Sequence, residues 1–319
     1  MFLRVIRGFA ALFLLVVTVC PRAWAGGDDW MKSVDGEKYL YELTIPGTHD
    51  SGAMVEHWPG SARCQDKTIE EQLDFGIRFL DIRCRHINDR FVVHHGPVYQ
   101  KMNFDDVMLK VALWLQNHRS ETVIMSLKEE SDPEGNTRTF AQTFWYYRDK
   151  YRHYRVWSSL EDRVPILDSV RGKIVLLRRF NPSPLQDKYQ IGINADNRGW
   201  PDDDVATLTG PGPSIFVQDM YKVFWWPNKK EKIIDTLNQA KTSNPTTLYL
   251  NFASCIAWAD PMIPAMASQA NQALTEYFKD PNNGKGRYGV VIMDFANAER
   301  TKLIYEKNVT SDSAASSVP

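Results

Sequence analysis

The strongest constraint in this chain is a succession of eight short apolar, β-rich runs: YLYELTI, RFLDIRC, RFVVHH, TVIMSLK, GKIVLLRR, SIFVQDMY, TLYLNFAS and YGVVIMDF. Several are apolar on both faces, as strands of a buried parallel sheet are. Helical patterns fill most of the gaps. Thr68 to Glu71 has the spacing of a capping box, and VMLKVALWLQNH, FAQTFWYYRDKY, KKEKIIDTLNQAK and IPAMASQANQALTEYF carry apolar residues near the helical repeat. Strands alternating with helices over this length predict an α/β fold, either a (β/α) barrel or a doubly wound sheet.

The ends of the runs favour the barrel. Nearly every run closes on a polar or ionisable residue: His49 and Asp50 after the first, then Asp81 and Arg83, His95, Lys128, Arg179, Asp219 with Tyr221, Ser254 and Asp294. In a parallel barrel the C-terminal strand ends converge on one mouth, where such folds carry their chemistry. The barrel has to be irregular. Only HIND separates Arg85 from Arg90, too short for a helical crossover, so RFLDIRC and RFVVHH are expected to pair as an antiparallel hairpin. If that loop closes over Ile87 to Asp89, then Asp81, Arg83 and His95 share a face; a two-residue turn selects His94 instead. The residues themselves leave both registers open.

The N-terminal segment places Arg4 and Arg7 before the apolar run Phe9 to Val19, then a helix breaker and Ala-Trp-Ala. This predicts a secretory signal peptide ending at Ala25 and a secreted, extracellular protein. The run is well short of the roughly 20 residues that span a bilayer. The remaining chain, about 294 residues without a Pro/Gly/Ser-rich linker, is expected to form one domain over 26–305, followed by a small, polar, disordered tail over 306–319. With 38 Lys plus Arg against 39 Asp plus Glu, the chain lacks the basic excess that a nucleic-acid partner requires. Cys64, Cys84 and Cys255 permit at most one internal disulfide, so the fold is not a disulfide scaffold. The sequon at Asn308 matters only in a eukaryotic secretory pathway.

Two histidines, acids able to orient them and an arginine suit a phosphodiester with a neighbouring hydroxyl. One imidazole takes the nucleophile's proton, the other protonates the leaving oxygen, and the guanidinium meets the charge building on phosphoryl oxygens. That chemistry needs no cofactor. A metal site is disfavoured because the nearby acids are expected to pair with Arg83 and Arg85, a fixed guanidinium taking the role of a divalent cation.

TIPGTHDSG, GIRFLDIRCR, VVHHGPVY, SETVIMSLKEE, RGKIVLLRRF, VQDMYKV, LYLNFAS and GVVIMDF follow one another across about residues 38 to 300. In that order they resemble the motifs of the bacterial phosphatidylinositol-specific phospholipases C, the X-domain family. The resemblance implies a single-domain, irregular TIM-type (β/α)8 barrel that cleaves phosphatidylinositol to diacylglycerol and inositol 1,2-cyclic phosphate, with no metal and no cofactor. It implies His49 as general base held by Asp294, His95 as general acid supported by Asp50, and Arg83 as the stabiliser of the phosphorane. It thereby selects His95 over His94, which is left a structural role. Lys128, Arg179, Asp219 and Tyr221 correspond to contacts with the inositol ring, Tyr221 by stacking.

The same resemblance implies a monomer whose partner is phosphatidylinositol in membranes, met peripherally through Trp58 and Trp258, with Phe224-Trp225-Trp226-Pro227 a third aromatic cluster near the mouth. Cys84 stands where the bacterial enzymes commonly have glycine, its side chain expected to face away from the site. Two other readings compete: a metal-dependent glycerophosphodiesterase-like hydrolase and a catalytically silent lipid-binding barrel. Free lipid and glycosylphosphatidylinositol anchors both stand open as natural substrates.

Overall fold

The computed structural model describes residues 27–185, 189–196, 198–257 and 262–308. The expected signal peptide, Trp258 and residues 309–319 of the expected tail lie outside the described residues. The strands are β1 (Thr44–Thr48), β2 (Phe79–Ile87), β3 (Arg90–His95), β4 (Val98–Asn103), β5 (Thr122–Glu129), β6 (Lys173–Arg179), β7 (Ile193–Asn194), β8 (Val205–Thr207), β9 (Ile215–Gln218), β10 (Lys222–Val223), β11 (Leu248–Phe252), β12 (Ile256–Ala257) and β13 (Gly289–Met293). The helices are α1 (Ile69–Asp74), α2 (Phe104–Asn117), α3 (Phe140–Lys150), α4 (Leu167–Val170), α5 (Trp226–Thr242), α6 (Ile263–Lys279) and α7 (Ala298–Tyr305).

Eight parallel strands curl in the order β7-β6-β5-β2-β1-β13-β11-β9, with the first and last long strands, β1 and β13, side by side. The TIM-type barrel is therefore present, and its irregularity has a definite place. Among the described residues β7 does not pair with β9; short β8 runs antiparallel along β9 instead. Among the described residues no helix separates β6 from β7 or β7 from β9.

Alternation along the strands sorts residues into two cores. On β2, Leu80, Ile82 and Cys84 pack outward under the helices with Val107, Val111 and Phe144, while Phe79 points inward among Ile45, Ile124, Leu250 and Ile292. The interior residues that follow Phe79 are Asp81 and Arg83. The barrel is thus filled with apolar side chains at its base and with ionisable ones at its C-terminal mouth. Gly47 marks how tightly the base is filled, because a Cβ there would lie 2.9 Å from Cβ of Phe79.

The helices follow their sequence signals. Thr68 accepts from the Glu71 amide and the Glu71 side chain returns to the Thr68 amide, the reciprocal cap expected at α1. Thr139 and Gln142 do the same at α3. Of the expected tail, Asn308 is buried rather than loose: its side chain accepts from the Thr44 amide at 2.9 Å and donates to the Thr44 carbonyl at 2.8 Å. Cys64, Cys84 and Cys255 are all free and buried. Among the described residues no helix is long and apolar enough to cross a membrane.

Candidate active site

Strand register builds the mouth. β1 and β13 run parallel with Thr48 opposite Met293, so the next residues, His49 and Asp294, leave the sheet together. His49 Nδ1 lies 2.8 Å from Asp294 Oδ1. Burial works against a charged His49 ring, but the Asp294 carboxylate, with Asp50 behind it, holds the pKa above the ordinary value. On the other side, Arg83 of β2 pairs in register with Lys128 of β5, and Lys128 with Arg179 of β6, a row of three cations on one level.

Asp81, one interior position below Arg83, makes that row tolerable. It accepts from Arg83 Nε at 2.9 Å, Arg179 Nη1 at 3.3 Å and Ser126 Oγ at 3.1 Å. Burial alone would push the Asp81 carboxyl up; Arg83 and Arg179 hold it well below the usual carboxylate range. Arg83 is correspondingly held above its ordinary value by Asp81 and Asp50 against the cost of its burial. Arg85 does not join this group. It donates to the Asp132 carbonyl and to Glu134 on the outside, so the expectation that it pairs with the site acids is corrected: Arg83 and Arg179 fill that role.

The hairpin settles the register that the residues left open. β2 and β3 pair antiparallel with Ile87 opposite Arg90, so the turn is the two residues Asn88 and Asp89, both with positive φ, and not a loop over Ile87 to Asp89. By that parity His94 should face the site. The ladder with β2 ends at Cys84 and Val93, however, and the β3–β4 register shifts between Val92 and His94. The two extra residues lie on β4, where Lys101 has positive φ, and past that shift the end of β3 no longer follows simple alternation. His95 turns to the mouth, while His94 is buried against Tyr99.

His95 Nδ1 lies 2.9 Å from the Ala62 carbonyl oxygen, and its ring centroid is 6.3 Å from that of His49. Between them, Asp50 is fully buried and neither of its oxygens has a hydrogen-bond partner. Asp50 Oδ2 is 3.6 Å from Arg83 Nε, 3.8 Å from His95 Nε2 and 4.0 Å from His49 Nε2. Burial raises its pKa above the ordinary value, with Arg83 and the two histidines opposing.

These groups border a cavity of about 400 Å³, lined by His49, Arg83, His95, Lys128, Arg179, Asp219, Tyr221 and Asp294. Every catalytic and binding position expected from sequence therefore meets at one place, with Asp50 just beneath the lining. A larger groove of about 950 Å³ lies at the opposite end, around Trp30, Lys285 and Tyr305, and holds no histidine.

Three contributors went unread in the sequence. Glu130 accepts from Lys128 Nζ at 2.6 Å and from the Gly96 amide at 3.1 Å; it follows Lys128 by two residues, so alternation along β5 could have found it. Trp200 comes from an irregular segment with no periodicity to betray it. The Arg179 guanidinium carbon stands 3.6 Å from its ring centroid, and its Nε1 donates to Asp219 Oδ2 at 2.9 Å. Cys64 lies with its sulfur 3.9 Å from His95 Nδ1. It is common to two sets of potential metal ligands, one with His49 and Asp294, the other with Asp50 and His95.

Beside the mouth, Trp58 is 69% exposed. Its loop is gathered by Glu56, whose carboxylate accepts from the backbone amides of Gly60, Ser61, Ala62 and Arg63. Phe224 and Trp225 are also exposed, whereas Trp226 packs against the core.

The profile of the phosphatidylinositol-specific phospholipase C X domain matches residues 44–180. A 1-phosphatidylinositol phosphodiesterase of Staphylococcus aureus (strain NCTC 8325 / PS 47) is 30% identical over 89% of this chain and 92% of its own length. The chain belongs to the phosphatidylinositol-specific phospholipase C family. It is accordingly an enzyme of that class, a phosphatidylinositol phosphodiesterase. The solved structure of a mutant Staphylococcus aureus phosphatidylinositol-specific phospholipase C is similar with a TM-score of 0.78 and 30% identity, over 89% of this chain and 98% of that one. A second solved structure of the Staphylococcus aureus enzyme, concerned with modulation of its membrane binding, is similar with a TM-score of 0.76 and 29% identity, over 89% of this chain and 98% of that one.

Proposed function

We propose that this phospholipase is a secreted, metal-independent lyase that releases diacylglycerol from phosphatidylinositol and leaves inositol 1,2-cyclic phosphate. The observation that carries the reading is the pair of imidazoles facing each other across buried Asp50 and Arg83. His49, with Nδ1 engaged by Asp294, offers Nε2 to the proton of the inositol 2-hydroxyl. The freed oxygen attacks phosphorus, and His95 gives a proton to the departing diacylglycerol oxygen. Arg83 supplies positive charge where the pentacoordinate phosphorane gathers negative charge, at no cost of reorganisation because Asp81 already fixes its Nε.

The rest of the cavity suits an inositol ring. Lys128, Arg179 and Asp219 present donors and acceptors to its hydroxyls, and Tyr221 gives it an aromatic face. Trp58, with Trp258, is assigned to the lipid interface, where an indole's apolar body and polar edge both find partners. Glycosylphosphatidylinositol anchors present the same diester and fall within this reading.

A hydroxyl held beside phosphorus outcompetes water, since intramolecular attack reaches effective molarities of about 10⁵ M or more. The test is phosphorus NMR of an early time point on phosphatidylinositol vesicles with excess chelator. The five-membered cyclic ester is expected first. Acyclic inositol phosphate appearing first, or turnover that chelator abolishes and a divalent cation restores, overturns the reading.

A further inference from the structure

Cys64 is a buried nucleophilic group beside both histidines for which the proposed reaction has no use. Its backbone is fixed on both sides, the amide donating to Ala53 O at 2.9 Å and the carbonyl accepting from the Phe295 amide at 2.8 Å. The side chain is fully buried. Around the thiol stand the carboxylates of Asp294, Asp50 and Asp81, opposed by Arg83. The ligand atoms of Cys64, His95 and Asp50 all lie within 4.8 Å of one another. The buried Asp50 carboxylate, with no hydrogen bond to either oxygen and only longer ion-pair contacts to Arg83 and the histidines, is the independent sign that this point has acceptor capacity to spare.

We propose that Cys64, His95 and Asp50 form an inhibitory site for a thiophilic divalent cation of the zinc class. The inference rests on the role given to His95 above, and concerns regulation of that same site. Zinc binds thiolate at about 2.3 Å and imidazole at about 2.0 Å, so sulfur and nitrogen on one tetrahedral ion stand about 3.6 Å apart. Cys64 Sγ and His95 Nδ1 stand at 3.9 Å, which a small side-chain rotation closes. A thiolate with an imidazole selects zinc over calcium, magnesium or manganese, which prefer oxygen ligands. Asp50 brings a charge and surrenders no hydrogen bond, and His95 gives up only its Nδ1 contact with the Ala62 carbonyl, whereas the alternative set with His49 would break the His49–Asp294 ion pair.

Binding exchanges the thiol proton for the cation and releases that proton to solvent; His95 enters in its neutral form. Held on the ion through Nδ1, the neutral ring keeps only its Nε2 proton, whose loss would leave an imidazolate, so it cannot act as an imidazolium acid and the enzyme is silenced while the ion stays. Arg83, 3.6 Å from Asp50 Oδ2, opposes the incoming charge and keeps binding reversible.

The experiment uses the purified metal-free chain, with zinc titrated against a chromophoric chelator and cobalt as a spectroscopic substitute. One zinc per chain and a thiolate-to-cobalt charge-transfer band are expected. Cys64→Ser should lose the band and weaken zinc binding at least tenfold, and should escape zinc inhibition measured against its own zinc-free rate. Cys64→Ala serves if the serine variant does not fold. Zinc affinity unchanged in the variants, or a cobalt spectrum without the thiolate band, overturns the proposal. The spectroscopic arm needs no turnover, so a failure of the site and a failure of the lyase reading are told apart.

Discussion

Asp294 Oδ1 lies 2.8 Å from Nδ1 of His49, which leaves Nε2 as the ring's working nitrogen. The carboxylate raises the His49 pKa against the effect of burial. A base works deprotonated, so activity should climb with pH through that raised value. Asp294→Asn removes the charge, and should move the ascending limb to lower pH while the plateau falls by roughly 10² or more. The pairing also stabilises the fold fully below the unfolded-state pKa and loses that contribution as pH rises through the folded value. A rate profile of the variant with its limb unmoved would dissociate Asp294 from His49.

The register shift between β3 and β4 sets a contrast between neighbours. His95→Ala should lose roughly 10²- to 10⁴-fold in kcat, as removal of a general acid does. His94→Ala should instead lower Tm, since its ring is buried against Tyr99 on the far face, and leave kcat within a few fold. Circular dichroism melts beside steady-state rates separate the two outcomes.

Lys229 on α5 is fully buried, and its Nζ donates to Gln218 Oε1, Met220 O and Phe252 O at 3.1, 2.6 and 2.5 Å. Lys229→Met strands Met220 O, while Gln218 Oε1 keeps the Met220 amide and Phe252 O keeps Gln218 Nε2, and should cost about 1–3 kcal/mol. Burial pushes the lysine down to about 8 from 10.5. A depressed folded pKa means that the linked stability is full above the ordinary lysine value and is lost as pH falls toward 8. The gap between wild-type and variant denaturation midpoints should therefore widen from neutral to alkaline pH.

Trp58 presents an exposed indole on a loop whose amides Glu56 clamps, so it should enter a lipid surface without reorganising the loop. Burying such a side chain is worth about 1.5–3 kcal/mol. Trp58→Ala should weaken binding to phosphatidylinositol vesicles roughly tenfold or more, with a far smaller effect on a soluble short-chain diester. Sedimentation with vesicles reads the first and a chromogenic assay the second.

The strands were legible because they are buried on both faces, which makes their apolar runs continuous, and because each breaks into charge at the mouth. That is why Arg83, Lys128 and Arg179 could be named before their register was known. The hairpin shows the limit. Asn88-Asp89 does announce a two-residue turn, yet the parity this implies is undone by a bulge that no local residue type signals. Resemblance chose His95 where alternation alone left His94 and His95 both open. Ala62 and Cys64 reach His95 from a stretch with neither helical nor strand period, held by Glu56 and by contacts distant in sequence, so nothing local pointed to them. Trp200 was hidden for the same reason, in the irregular stretch between β7 and β8.

The clasp between Asn308 and Thr44 decides how this protein can be made. Asn308 Nδ2, the atom a glycosyltransferase would modify, donates to Thr44 O and Tyr305 O at 2.8 Å each, inside the fold. Once folded, the chain withholds that nitrogen. A sugar added to the nascent chain in a eukaryotic host would keep the end of the chain from fastening the first strand of the barrel, and the product would divide into sound and crippled molecules. Thr310→Ala erases the glycosylation signal while leaving the Asn308 side chain to its contacts, so secretion from yeast or mammalian cells calls for that change, and bacterial production does not.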